Sequence, residues 1–210
     1  MSNQYGRAYL LRHGETEWSR DGRHTGLTDL PLTERGERQA RAAGPMLADR
    51  DISHVFVSPL QRARRTAELA GFSDVQVDDN LVEWDYGVTE GISTLQIREI
   101  VGYDWELWSD GVHIDLPESA QVVDPPSPGE TVDDVARRAS AVVRRIEPHL
   151  RDGQDVLIVA HGHLLRVLTA MWLELAPVDG SRFVLETATV STLAFERERH
   201  VIAGWNVRED

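Results

Sequence analysis

Asp155-Val-Leu-Ile-Val-Ala160, followed by His161-Gly162-His163, is the stretch that decides the fold. The five-residue apolar run from Val156 to Ala160 cannot alternate between a wet and a dry face, so the stretch reads as a strand buried on both sides, as in a parallel sheet covered by helices. Working backward, Gly153 ends an amphipathic helix over 131–150 with paired arginines on its outer side. Working forward, a helix runs to about Leu173, and two final strands fit near 189–196 and 200–206.

The N-terminal half repeats the alternation. Residues 7–11 (RAYLL) form a short buried strand that ends at Arg12-His13-Gly14. Thr33 caps an amphipathic helix reaching Arg50, with Glu37 and Arg41 on its polar face. A second strand covers 53–57, and Ser58-Pro59 open a helix through Ala70, with Pro59 near the favoured first position. A third strand fits near 75–77, and residues 94–109 read as one helix carrying Tyr103, Trp105 and Trp108. Four of the nine prolines and many acids fall in 110–129, an irregular excursion expected to overhang the functional site. The pattern predicts a single α/β domain over 1–210. It should be a three-layer α/β/α sandwich around a mostly parallel sheet of about six strands with right-handed crossovers.

Composition narrows the chemistry. The chain has no cysteine, which removes disulfides, cysteine-zinc sites and thiol nucleophiles. It also has no lysine, so all 22 basic side chains are arginine, and Walker-type, Schiff-base and pyridoxal chemistry are excluded. Any bound anion must be held by Arg, His and backbone N–H groups. A net charge of −13 argues against a nucleic-acid partner and makes any phosphate site a local positive pocket in an acidic surface. No run is long enough to span a bilayer, and the opening MSNQYGRAYLLRHGE lacks a secretory signal, so the expected compartment is cytoplasmic, without a membrane partner. A homodimer is compatible with the sequence.

Two strand ends carry the same short signal, Arg12-His13-Gly14 and Ala160-His161-Gly162. In open α/β sheets the ligand crevice lies beyond the carboxyl ends of the strands, so both histidines should enter one crevice. A single histidine after a strand is ordinarily a packing or capping residue; two followed by glycine are a constellation. Phosphate suits bidentate arginine donors, and Arg12 and Arg62 lie where they could reach it. Arg62 is in the first turn of its helix, whose side chains lean back toward the strand end. Arg64 and Arg65 read as a solvated basic face.

Leu-Arg-His-Gly-Glu-Thr at 11–16, Ser-Pro-Leu-Gln-Arg-Ala at 58–63, Glu-Trp-Asp-Tyr-Gly at 83–87 and Ala-His-Gly-His at 160–163 together resemble the histidine phosphatase superfamily, the phosphoglycerate mutase-like group. The likeness spans nearly the whole chain. It is nearest in pattern to the small acid phosphatases and sugar-bisphosphatase-like members, through Glu-Trp-Asp-Tyr-Gly and Glu-Gly-Ile-Ser-Thr at 90–94. It implies a nucleophilic His13, phosphoryl binding by Arg12, Arg62 and a protonated His161, and proton donation to the leaving oxygen by Glu83. It also implies that no metal or other cofactor is needed. Asp85 and Glu90 are local competitors for the acid. Arg23, Thr25 and Gly26 match the segment lining the family's pocket, with Ser19, Trp84, Tyr86, Gly162 and His163 as further candidates for substrate contact. His24 and His163 read as pocket wall or structure rather than catalysts, and the tryptophan cluster as core.

The expected substrate is a small phosphorylated metabolite, hydrolysed through a phosphohistidine. Mutases of the group follow the acid with Arg-His and use a lysine and paired arginines, where this chain has Trp84-Asp85 and no lysine. Acids in 110–129 would also repel a bisphosphorylated intermediate. Mutase activity, or a non-catalytic phospho-ligand module, are the alternatives.

Overall fold

A computed structural model describes residues 5–208. Its sheet has six strands: β1 (Ala8–Arg12), β2 (Ile52–Val57), β3 (Gln76–Val77), β4 (Asp155–Ala160), β5 (Val190–Glu196) and β6 (Arg199–Val207), in the order β3-β2-β4-β1-β5-β6. The first four are mutually parallel, β5 runs antiparallel to β1, and β6 runs antiparallel to β5. The deciding stretch is central, with every residue of β4 after Asp155 buried.

Alternation along the strands sorts side chains into two cores. Ala8, Leu10, Val156, Ile158 and Ala160 face a cluster that includes Val135, Ala139 and Ile146 of helix α6 (Val132–Arg151) and Leu164 and Leu168 of helix α7 (Gly162–Trp172). Tyr9, Leu11, Leu157 and Val159 face Ala43 and Leu47 of helix α2 (Glu34–Ala48) and Ala63 and Ala67 of helix α3 (Gln61–Leu69). This period-two partition makes the α/β/α sandwich.

Local signals set most helix starts. Thr33 accepts from Gly36 N at 3.0 Å, and Thr131 forms a capping box with Asp134. A short helix α1 (Glu17–Arg20), not anticipated, follows a capping box between Thr16 and Ser19. Two expected helices differ. The segment 94–109 is two pieces, α4 (Thr94–Val101) and α5 (Leu107–Asp110), because Gly102 adopts a left-handed φ of 76° and its N–H closes on Arg98 O at 2.9 Å. Helix α3 begins at Gln61 rather than Ser58. Asp29 Oδ1 accepts Gln61 N at 2.8 Å, and Ser58 is released to face the strand ends.

Register then positions the site. Arg12 pairs with Ala160 across β1 and β4, so His13 and His161 emerge side by side at the carboxyl edge. His13 N continues the ladder to Ala160 O at 2.9 Å, and Ser58 N bonds Val159 O at 3.0 Å. No described helix is long and apolar enough to cross a membrane.

Candidate active site

Beyond the carboxyl ends of β1 and β4 lies a cavity of about 290 Å³. Arg12, His13, Ser19, Arg23, Thr25, Glu83, Tyr86, Gly162 and His163 line it. The sequence-expected Arg62, His161, Gly26 and Trp84 lie behind its wall.

His13 is 3% exposed, and its Nδ1–H donates to Gly14 O at 2.7 Å. A carbonyl only accepts, so the proton is fixed on Nδ1 and Nε2 keeps its lone pair. Burial, then the charges of Arg62 and Arg12, hold the ring well below the usual histidine range, so it is neutral near pH 7. The His161 ring stands beside it, with centroids 5.1 Å apart.

His161 is neutral too, contrary to the protonated state expected from the sequence. Its Nδ1 accepts from Arg62 Nε at 3.2 Å, which leaves Nε2–H to donate to Ser58 Oγ at 2.7 Å. Burial and the Arg62 guanidinium together disfavour a second proton. Arg62 is itself fully buried, and its remaining donors clamp the 25–28 loop through the carbonyls of Thr25 (3.1 Å), Gly26 (2.7 Å) and Thr28 (2.9 Å).

Arg12 has the opposite character. Its Nη1 is pinned to Leu185 O at 2.6 Å, but its buried Nε has no partner among the described residues. That N–H is sealed, whereas Nη2, also without a partner among the described residues, is not, and it is the charged donor that Arg12 offers to an anion in the cavity. Gly162 allows its approach: a Cβ there would meet Arg12 Cζ and Nε at 3.2 Å.

Glu83 is 4% exposed at the N-terminus of α7. Its Oε1 accepts from Leu164 N (2.8 Å) and Trp84 N (2.9 Å), and its Oε2 from His163 N (3.0 Å). Three backbone donors fix the carboxylate facing the cavity. The competing acids are otherwise engaged. Glu90 binds the N–H groups of Gly26 and Thr28, and Asp85 holds Gly129 N, Gly87 N and the Ser127 hydroxyl.

Two expected substrate contacts are corrected. Trp84 is fully buried, edge-on to Trp108 at 5.5 Å, with its indole N–H on Glu130 O at 2.8 Å. Gly26 is a packing position, where a Cβ would lie 2.5 Å from Trp84 O and 2.6 Å from Glu90 Oε2. Ser19 reaches the wall with its hydroxyl committed to the α1 cap. Arg23 lies over the Trp18 ring at 4.6 Å with its Nε on Gly91 O.

Sequence reasoning missed the far wall. Glu106, Leu107 and Trp108 form it, and no residue of 110–129 lines the cavity. The expected overhang therefore comes from the start of α5, just before that excursion. Arg166 was also missed, although it sits one helical turn after Gly162 and so on the same face of α7, a spacing legible in the sequence. It stacks on Trp108 at 4.8 Å and donates to the carbonyls of Gly180 and Ser181.

The sequence matches the histidine phosphatase superfamily (branch 1) over residues 8–208. It is 40% identical over 192 residues to an acid phosphatase of Mycobacterium tuberculosis, covering 90% of this chain and 87% of that protein. It is 36% identical over 195 residues to sedoheptulose 1,7-bisphosphatase of Saccharomyces cerevisiae, covering 79% and 67%. It is 34% identical over 201 residues to a 2,3-bisphosphoglycerate-dependent phosphoglycerate mutase of Bifidobacterium longum, covering 85% and 82%. With Arg12, His13 and the helix-capping Glu83 on one cavity and His161 directly behind His13, the chain belongs to the histidine phosphatase superfamily.

Proposed function

We propose that the protein is a metal-independent phosphomonoesterase that hydrolyses small phosphate esters through a phosphohistidine on His13. The observation that carries this reading is the fixed tautomer of His13, which presents a neutral Nε2 lone pair without needing a base to remove a proton. Nε2 attacks phosphorus, the P–O ester bond breaks, and Glu83 delivers a proton to the departing alkoxide oxygen. Water then attacks phosphorus, the N–P bond breaks, and Glu83 takes the water's proton.

The charge of the transferring group needs cations. Arg12 supplies a donor through Nη2, while Arg62, one layer back, adds positive potential and fixes the loop at 25–28, and the neutral His161 accepts from its Nε. This arginine set supports a reaction without a metal, and among the described residues no three histidine or acidic side chains converge as a metal-ligating group. A cavity of about 290 Å³ suits a small metabolite.

Hydrolysis is favoured over isomerisation by the absence of lysine and by similarity to two phosphatases. The acids of 110–129 do not contribute to that choice, because they do not line the cavity, whereas Arg12, Arg23 and Arg166 do. Turnover of p-nitrophenyl phosphate with EDTA present, beside a His13→Ala variant, tests the proposal. Activity should survive EDTA and vanish in the variant; loss to EDTA, or wild-type turnover by His13→Ala, would overturn it. Interconversion of phosphoglycerates faster than phosphate release would establish the mutase reading instead.

A further inference from the structure

His24 and His163 stand together on the cavity wall, with centroids 6.4 Å apart and planes inclined by 22°. Each ring has its Nδ1 committed, but with opposite polarity. His24 Nδ1 lies 2.7 Å from Ile92 O, and a carbonyl can only accept, so the proton is on Nδ1 and Nε2 is an acceptor. His163 Nδ1 bonds the hydroxyl of Tyr86, which is 2% exposed. A phenol is the better donor and an imidazole nitrogen the better acceptor, so the Tyr86 proton goes to Nδ1, and His163 is left with an Nε2–H donor. Neither Nε2 has a protein partner among the described residues, and neither is sealed from the cavity.

The two rings are held rigidly. Trp105 meets His24 edge-on at 5.5 Å, and Trp108 meets His163 at 5.4 Å. The backbone N–H of His163 also binds Glu83 Oε2 at 3.0 Å, so the pair adjoins the group assigned to protonate the leaving oxygen.

A neighbouring acceptor and donor, both neutral and both fixed, match the hydroxyl group, which donates one bond and accepts others. They do not match a carboxylate or a second phosphate, which would only accept. We propose that His24 and His163 are specificity residues that recognise a hydroxyl on the leaving group, so that the preferred substrates are phosphate esters of polyols or sugars. The inference rests on the phosphatase reading for its placement of the leaving group, and its test is separable from it.

The test compares glycerol 3-phosphate with propyl phosphate, which differ in hydroxyls and little in length. The wild-type protein should favour the hydroxylated ester by at least about tenfold in kcat/KM, the effect of one or two well-placed hydrogen bonds. In His24→Phe and in His163→Phe the ratio should fall toward one, and His24→Gln, whose amide oxygen still accepts, should retain part of the preference. A wild-type ratio near one, or a loss by the same factor on both esters in the Phe and Gln variants alike, would overturn the proposal and leave the pair as wall or water-holding residues. Calorimetric binding of both esters to His13→Ala separates the two readings. A tenfold tighter Kd for glycerol 3-phosphate without any wild-type turnover would retain the recognition and remove the phosphatase assignment. Equal Kd values with normal turnover would do the reverse.

Discussion

Arg138, far from any motif, is predicted to hold the strap that carries Glu83. It projects from α6 and uses all five guanidinium N–H groups. Nε and Nη2 grip Glu130 Oε1 and Oε2 at 2.7 Å each, Nη1 donates to Asn80 O and Val82 O at 2.9 Å, and Nη2 reaches Glu83 O at 3.4 Å. Glu130 in turn accepts Asp85 N through Oε2 and Trp84 Nε1 through its carbonyl. Segment 80–85 is thus tied to the long helix through one ion pair whose side chains are 20% and 22% exposed. Arg138→Met keeps the aliphatic stem and removes every one of those donors. Truncating one member of a buried pair costs about 3–5 kcal/mol, and the residual exposure here puts the expectation near the lower bound, about 3 kcal/mol. For a chain of this size that corresponds to a fall in Tm of roughly 6–12 °C by scanning calorimetry. The Glu83 carboxylate keeps its own three N–H partners, so the site should loosen rather than collapse. A displacement approaching 1 Å lowers kcat by up to about 100-fold, and a loss of about 10- to 100-fold on p-nitrophenyl phosphate is expected. A Tm within 2 °C of wild type, or an unchanged kcat, would refute the strap argument.

Gly162→Ala should separate binding from stability. Alanine is favourable at this first helical position, and its Cβ, 3.2 Å from Arg12 Cζ and Nε, makes that guanidinium give by a few tenths of an ångström, so KM should rise about tenfold with little change in Tm; an unchanged KM would show that Arg12 does not need this approach. Acid should destabilise the protein below pH 6.5. Burial holds His13, His24, His161 and His163 below the ordinary value in the folded state, so under pH 6.5 the unfolded chain binds protons that the native state does not. Stability is present above the unfolded pKa and falls by up to about 1.4 kcal/mol per pH unit for each such group. Thermal scans at pH 7 and pH 5.5 should show this fall, and a flat or rising Tm would contradict the buried neutral state. For the same reason the acidic limb of kcat/KM should lie below pH 6.5, since His13 stays unprotonated there.

Much of this arrangement was legible because it depends on local rules. The apolar run at 155–160 forces a doubly covered strand, and Thr33 and Thr131 mark their helices through side chains that bond their own backbone. The strand-end histidines follow from the geometry of parallel sheets. What was hidden depends on partners distant in sequence. The Arg12–Ala160 register, which brings His13 beside His161, is a property of two strands about 150 residues apart, and nothing in either segment encodes it alone. The neutral state of His161 follows from Arg62 and Ser58 occupying its two nitrogens, a tautomer question that residue type leaves open. Ser58-Pro59 resemble a helix start, but the capping acceptor for α3 is Asp29 on another loop. Trp84 adjoins Glu83 in sequence, yet consecutive residues on an extended strap face opposite sides, and of these two only Glu83 faces the cavity. Gly102 is a readable stop signal within 94–109, and the break it makes frees Glu106 to Trp108 to build the far wall.

The central claim is that His13 Nε2 becomes covalently phosphorylated, and the most direct measurement is rapid quenching of the enzyme in alkali during turnover, followed by mass mapping of the phosphoryl group. The account predicts an alkali-stable, acid-labile phosphoryl group on the peptide containing His13, formed at a rate no slower than kcat and absent from His13→Ala. Phosphorylation at another residue, or steady turnover with His13 unmodified and formation of the adduct slower than kcat, would contradict it.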